Sequence, residues 1–203
     1  MKLRIYLVAL SSVIVVCLSG CASKVAPVTA TGYLEGISVA SAQVSPAQNP
    51  LESEAHWDGD GISGSARIVI DLSDQQATFF KGDQLLGVSP ISSGTASHPT
   101  PIGRFKVTQK NPNHRSSCYG DYVDSAGNVV VKDIDNRKDK RPPGTRYLGA
   151  DMGYFMRFNG PIGMHRGFLP GYPASHGCIR LPEHMAEIYF ENASLGAPVI
   201  VVP

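Results

Sequence analysis

The run Ser175-His176-Gly177-Cys178-Ile179-Arg180-Leu181 concentrates more reactive chemistry than any other stretch of the chain. A cysteine attacks a carbonyl well only as thiolate, so it needs a base or a positive site nearby. Two histidines are in range. His176 lies two residues before Cys178, and an extended chain turns both side chains to one face. His165 lies 13 residues upstream, across a Gly/Pro-rich segment that can fold back on itself. Either base is expected to leave the Cys178 thiol more acidic than a free cysteine. Gly177 lets the backbone approach a substrate, and its N–H, with that of Cys178, can face a developing oxyanion. Arg180 offers a planar fork of donors for a carboxylate.

Blander readings stand beside these. Cys178 alone could be a small core residue, and His176 could bond to backbone. His165, His176 and Cys178 could in principle hold zinc, but His-x-Cys lacks the usual spacer and no second ligand pair appears. No metal or cofactor is expected. Cys118 reads as a core residue or an exposed loop thiol, and His98, His114 and His184 receive no chemical role.

The elements that must position these residues are mostly strands. Ile68, Ile70 and Leu72 alternate with Val69 and Asp71. Strands over Ala77–Phe80 and Gln84–Ile91 follow short polar turns, which makes a β-meander. Gly94 to Gly103 is loop and Arg104–Val107 a strand. Tyr154–Phe158 alternates, Asn159-Gly160 turns, and Pro161–His165 returns, so His165 stands at a strand end. Pro182 and Glu183 open a short helix with Met185, Ile188 and Tyr189 on one face. Gly196 is expected to end it, and Val199–Val202 is a closing strand. Between the halves, Lys110–Arg146 is a long polar insertion read as loop, with a hairpin turn at Asp124–Asn128. Its charge run, Arg137–Arg141, is a solvated face or a lid over an anionic glycopeptide. Abundant glycine (21) and proline (15) fit a mainly β domain with many turns, and a net charge of +1 gives no field for nucleic acid.

The N-terminus reads as an address. Lys2 and Arg4 precede an uncharged run, Ile5–Gly20, which is short for a bilayer span of about 20 residues. Leu18-Ser19-Gly20-Cys21 resembles a bacterial lipobox, which implies lipidation of Cys21 and a membrane anchor. Ala22 is not acidic, which in Gram-negative lipoproteins favours the outer membrane. The expected plan is a signal peptide over 1–20, a lipidated tether over 21–65 and a catalytic domain over 66–203, held at the periplasmic face of the envelope. Trp57, the single tryptophan, either packs on the domain or marks the tether's end.

Gly163-Met164-His165 followed by Ser175–Arg180 resembles the signature of the L,D-transpeptidase (YkuD-type) catalytic domain. Thr100-Pro101-Ile102-Gly103-Arg104-Phe105 resembles that family's upstream loop, and the similarity runs from about Ala66 to Val202. The resemblance implies a β-sandwich-like fold with Cys178 as nucleophile and His165, rather than His176, as base. Ser175, His176 and Gly177 then shape the nucleophile loop, and Arg180 orders it or meets a substrate carboxylate. The residue after the base is often glycine or serine in that family and is Arg166 here. The implied partners are peptidoglycan stem tetrapeptides, with another stem, a protein lysine or water as acyl acceptor. The rival is a catalytically inert lipoprotein that binds the wall.

Overall fold

Three sheets and one helix carry residues 54–203, the part of the chain that the computed structural model describes. Cys21, the signal segment and most of the expected tether lie outside the described residues.

The largest sheet has the order β1 (His56–Trp57), β4 (Gln84–Pro90), β3 (Gln76–Lys81), β2 (Ala66–Asp71), β13 (Pro198–Val202) and β5 (Gly103–Lys106). The meander β2–β3–β4 follows the alternation read in the sequence. Strand β13 completes it by pairing parallel to β2, with Val199 opposite Ile68 and Val201 opposite Ile70, all four buried. A second sheet has the order β12 (Ile179–Leu181), β11 (Ile162–Arg166), β10 (Phe155–Asn159) and β6 (Gln109–Asn111). Helix α1 (Glu183–Asn192) buries Met185, Ala186 and Tyr189 in the core shared by these two sheets. The Tyr189 hydroxyl satisfies itself there by donating to the Ala77 carbonyl at 2.9 Å. This is the mainly β, sandwich-like architecture with one short helix that the sequence implies.

Three details differ from the sequence reading. The ordered fold begins before residue 66. Strand β1 pairs with β4, and Trp57 packs edge-on against Phe79 at 5.4 Å between centroids. Its indole lies so close over Gly87 that a Cβ there would sit 2.7 Å from the ring. A two-residue strand has no alternation to reveal it.

The insertion is a sheet rather than a loop. Strands β7 (Arg115–Val123), β8 (Val129–Asp135) and β9 (Arg146–Asp151) form an antiparallel sheet of order β8-β7-β9. The expected turn joins β7 to β8, where Asp124 accepts the Asn128 backbone N–H at 2.8 Å.

Helix α1 stops at Asn192, ahead of Gly196, because Ala193 is already extended (φ −94°, ψ 128°). Gly196 instead serves the turn into β13, donating its N–H to the Val107 carbonyl at 2.8 Å.

Candidate active site

The period of two along the second sheet builds the site. Met156 and Phe158 on β10, Met164 on β11, and Ile179 and Leu181 on β12 all enter the core. Their neighbours must therefore face the other way. That outer face carries Phe155 and Arg157, then Gly163 and His165, then Cys178 and Arg180. Strands β11 and β12 run parallel with His165 opposite Arg180, which places Cys178 just before the strand beside the base. His165, Cys178, Arg157 and Arg180 line one cavity of about 400 Å³. The insertion sheet contributes its other wall through Ser116, Cys118, Tyr119 and Asp151.

The turn that carries Cys178 is fixed by hydrogen bonds from two side chains, Ser175 and Thr100. The Ser175 hydroxyl donates to the Cys178 carbonyl and accepts the Gly177 N–H at 3.0 Å. Thr100 donates its hydroxyl to the Gly177 carbonyl at 2.9 Å and accepts the Gly94 N–H at 2.9 Å. The upstream Thr-Pro motif is thus a brace for the cysteine turn. Gly177 sits at φ +107°, where a side chain is strained, and its Cα lies against Gly94. One expectation fails here. The Gly177 N–H is consumed by Ser175, so it does not face an oxyanion.

His165 is 7% exposed. Its Nδ1 donates to the Arg166 carbonyl at 2.6 Å, which leaves Nε2 as the basic nitrogen. Burial first of all, with Arg180 and His114 nearby, holds the imidazole at about 4, well below its ordinary value. Burial likewise pushes the Cys178 thiol up, outweighing the facing Gly163 N–H and the charges of Arg157 and Arg180. Burial thus works against the more acidic thiol expected from the motif, and both shifts favour the neutral forms, thiol and imidazole.

Arg180 is half-buried and donates to the Ala174 carbonyl at 3.2 Å and, weakly, towards Phe168. It thereby ties down the loop between His165 and Cys178. His176 is stacked on Tyr119 of β7 at 4.1 Å, with His98 against it at 4.7 Å. Both contacts hold it as a joint between the Cys178 turn, the upstream loop and the insertion sheet. Arg137, itself exposed, reinforces that joint by donating to the Tyr119 hydroxyl at 2.9 Å and lines the cavity, whereas Lys138, Lys140 and Arg141 are exposed away from it. The charge run thus divides between a site wall and a solvated face.

Three residues given no site role by the sequence line or adjoin this cavity. His114 stacks on Phe155 at 4.2 Å, His98 touches His176, and Cys118 lines the wall. No local motif marks them: the insertion brings in His114 and Cys118, and the upstream loop brings in His98.

A chain with this sheet, this braced cysteine turn and this buried histidine has close parallels. Residues 65–201 match the family model described as YkuD, L,D-transpeptidase catalytic domain. The chain belongs to that family. A Bacillus subtilis (strain 168) protein, YqjB, provisionally named an L,D-transpeptidase, is 24% identical over 143 residues, covering 69% of this chain and 73% of its own. An L,D-transpeptidase structure from Mycobacterium smegmatis superposes with a TM-score of 0.51 at 23% identity, over 70% of this chain and 60% of that one. One from Xylanimonas cellulosilytica gives 0.51 at 21% identity, over 69% and 61%. The chain thus spans about three-fifths of these solved chains.

Proposed function

We propose that this protein is a cysteine acyltransferase acting on peptidoglycan stem tetrapeptides. The observation that carries the reading is the shared outer face of β10, β11 and β12. It places a thiol, a neutral imidazole and two guanidinium groups in one cavity. Three arginines, Arg137, Arg157 and Arg180, against the single carboxylate of Asp151 suit a stem peptide rich in carboxylates.

With burial favouring the neutral thiol and the neutral imidazole, proton transfer accompanies attack. As Cys178 Sγ bonds to the carbonyl carbon after the diamino acid, its proton passes to His165 Nε2. The tetrahedral oxyanion is met by backbone donors of the turn, the Cys178 N–H first. The imidazolium then gives its proton to the departing D-alanine amine, leaving a thioester. An acceptor amine attacks the thioester, loses its proton to His165 and releases Cys178. A second stem as acceptor gives a crosslink, a protein lysine gives attachment to the wall, and water gives hydrolysis. Muropeptide profiles of cells expressing wild type or Cys178→Ala test this. New diamino acid-to-diamino acid crosslinks are expected only with wild type, and identical profiles would contradict the reading.

The site has to meet the wall, and the lipobox supplies the means. Lipidation of Cys21 would hold the domain at the periplasmic face of the outer membrane. Cys21→Ser is expected to move the protein from the membrane to the soluble fraction. Retention in the membrane would instead make Ile5–Gly20 an uncleaved anchor.

A further inference from the structure

Arg166 occupies the position after the base, and its side chain turns away from the cavity. Its guanidinium donates to Asp151 Oδ2 at 2.8 Å and to Glu183. Asp151 ends β9 of the insertion sheet, and Glu183 opens helix α1. The Arg166 side chain passes close against Gly153, where a Cβ would stand 2.6 Å from Nε. The Arg166 N–H donates to the Gly153 carbonyl at 3.0 Å, and the Gly153 N–H donates to Asp151 Oδ1 at 3.0 Å. Four bonds thus hold the side chain and the N–H of residue 166. The same residue carries the carbonyl that accepts the hydrogen bond from His165 Nδ1.

We propose that Arg166 is a positioning residue for His165. Clamped between Asp151 and Glu183, it fixes the carbonyl that selects the tautomer of the base. The inference extends the proposed acyl transfer, but its primary consequence is readable without turnover. A glycine or serine there would have no side chain able to reach either carboxylate. The clamp also ties the insertion sheet to β11 and to helix α1, which already pack on each other in the core. A shift of the cavity wall at Asp151 is therefore felt at the base. Arg166 does not touch the reacting atoms, so it acts through aim rather than through charge on the sulfur.

The test uses the full chain in detergent, labelled with ¹⁵N-histidine, with His165→Gln to identify the His165 signals. Wild type is expected to show one tautomer at neutral pH, protonated at Nδ1. In Arg166→Met the two ring nitrogens should move towards averaged values. Acylation by a carbapenem should fall roughly tenfold, and further at pH 5.5 than at pH 8, as the loosened imidazole regains its ordinary basicity. Arg166→Lys, which keeps the charge but lacks the planar fork and the reach of the guanidinium, should fall between. Asp151→Asn and Glu183→Gln each break one arm and should give smaller shifts in the same direction, which covers the case of an unfolded methionine variant. Retention of the Nδ1-protonated tautomer and of the wild-type pH profile in the folded variants would overturn the proposal. A wild type that holds the tautomer yet releases no D-alanine from stems would overturn the transpeptidase reading and leave the clamp standing.

Discussion

At Cys178 two influences on the thiol pull in opposite directions. The Gly163 N–H, Arg157 and Arg180 favour thiolate, while burial under the insertion sheet favours the thiol and is the larger effect. The neutral imidazole of His165 has the same origin. Iodoacetamide labelling of Cys178 should therefore show a midpoint above that of an ordinary cysteine. His165→Ala should leave that midpoint high, since no ion pair is lost, while cutting carbapenem acylation by about 10²–10⁴-fold. A wild-type midpoint below the free-thiol value would show an ion pair and contradict this account. Cys178 and His165 were legible because each lies in a short motif. The sign of the thiol shift was not, because it depends on what covers the sheet, and that cover comes from residues 115–151.

Among the elements, the turn that carries Cys178 depends on a residue 77 positions away from its carbonyl contact. Thr100→Val would leave the buried Gly177 carbonyl and the Gly94 N–H without their partner. The expected cost is about 1–3 kcal/mol, seen as a lower urea midpoint with unchanged far-ultraviolet circular dichroism and slower acylation. Unchanged stability would mean that the brace is replaceable by water. The insertion sheet makes a separate prediction. Tyr119→Ala removes the stack on His176 and the Arg137 tie, so KM for a stem tetrapeptide should rise more than kcat falls. A loss confined to kcat would assign Tyr119 to the chemistry instead. The meander, the Asn159-Gly160 hairpin and the helix were legible from periodicity and turn residues. Strands β7 and β8 were not, because one face covers a wet cavity and the other meets solvent. Val129, Val130 and Val131 are all exposed, whereas Tyr122, Val123 and Ile134 are buried, which leaves no clean alternation.

For the whole molecule, the buried base links folding to pH. The His165 imidazole is depressed from 6.5 to about 4, so between those values the unfolded chain binds a proton that the native state excludes. Stability from this group is complete above about pH 6.5 and falls as the pH drops towards 4, by about 3 kcal/mol for a shift of this size. Urea titrations at pH 7 and pH 4.5 should show that loss in wild type and a smaller one in His165→Gln. An equal loss in both would place the acid sensitivity elsewhere. The most direct test of the central claim is intact-mass spectrometry of the full chain incubated with a purified stem tetrapeptide. Wild type is expected to gain the mass of the stem less D-alanine, mapped to Cys178, with free D-alanine appearing alongside, and Cys178→Ala should show neither. An adduct on Cys118, or D-alanine release that persists in Cys178→Ala, would contradict the account.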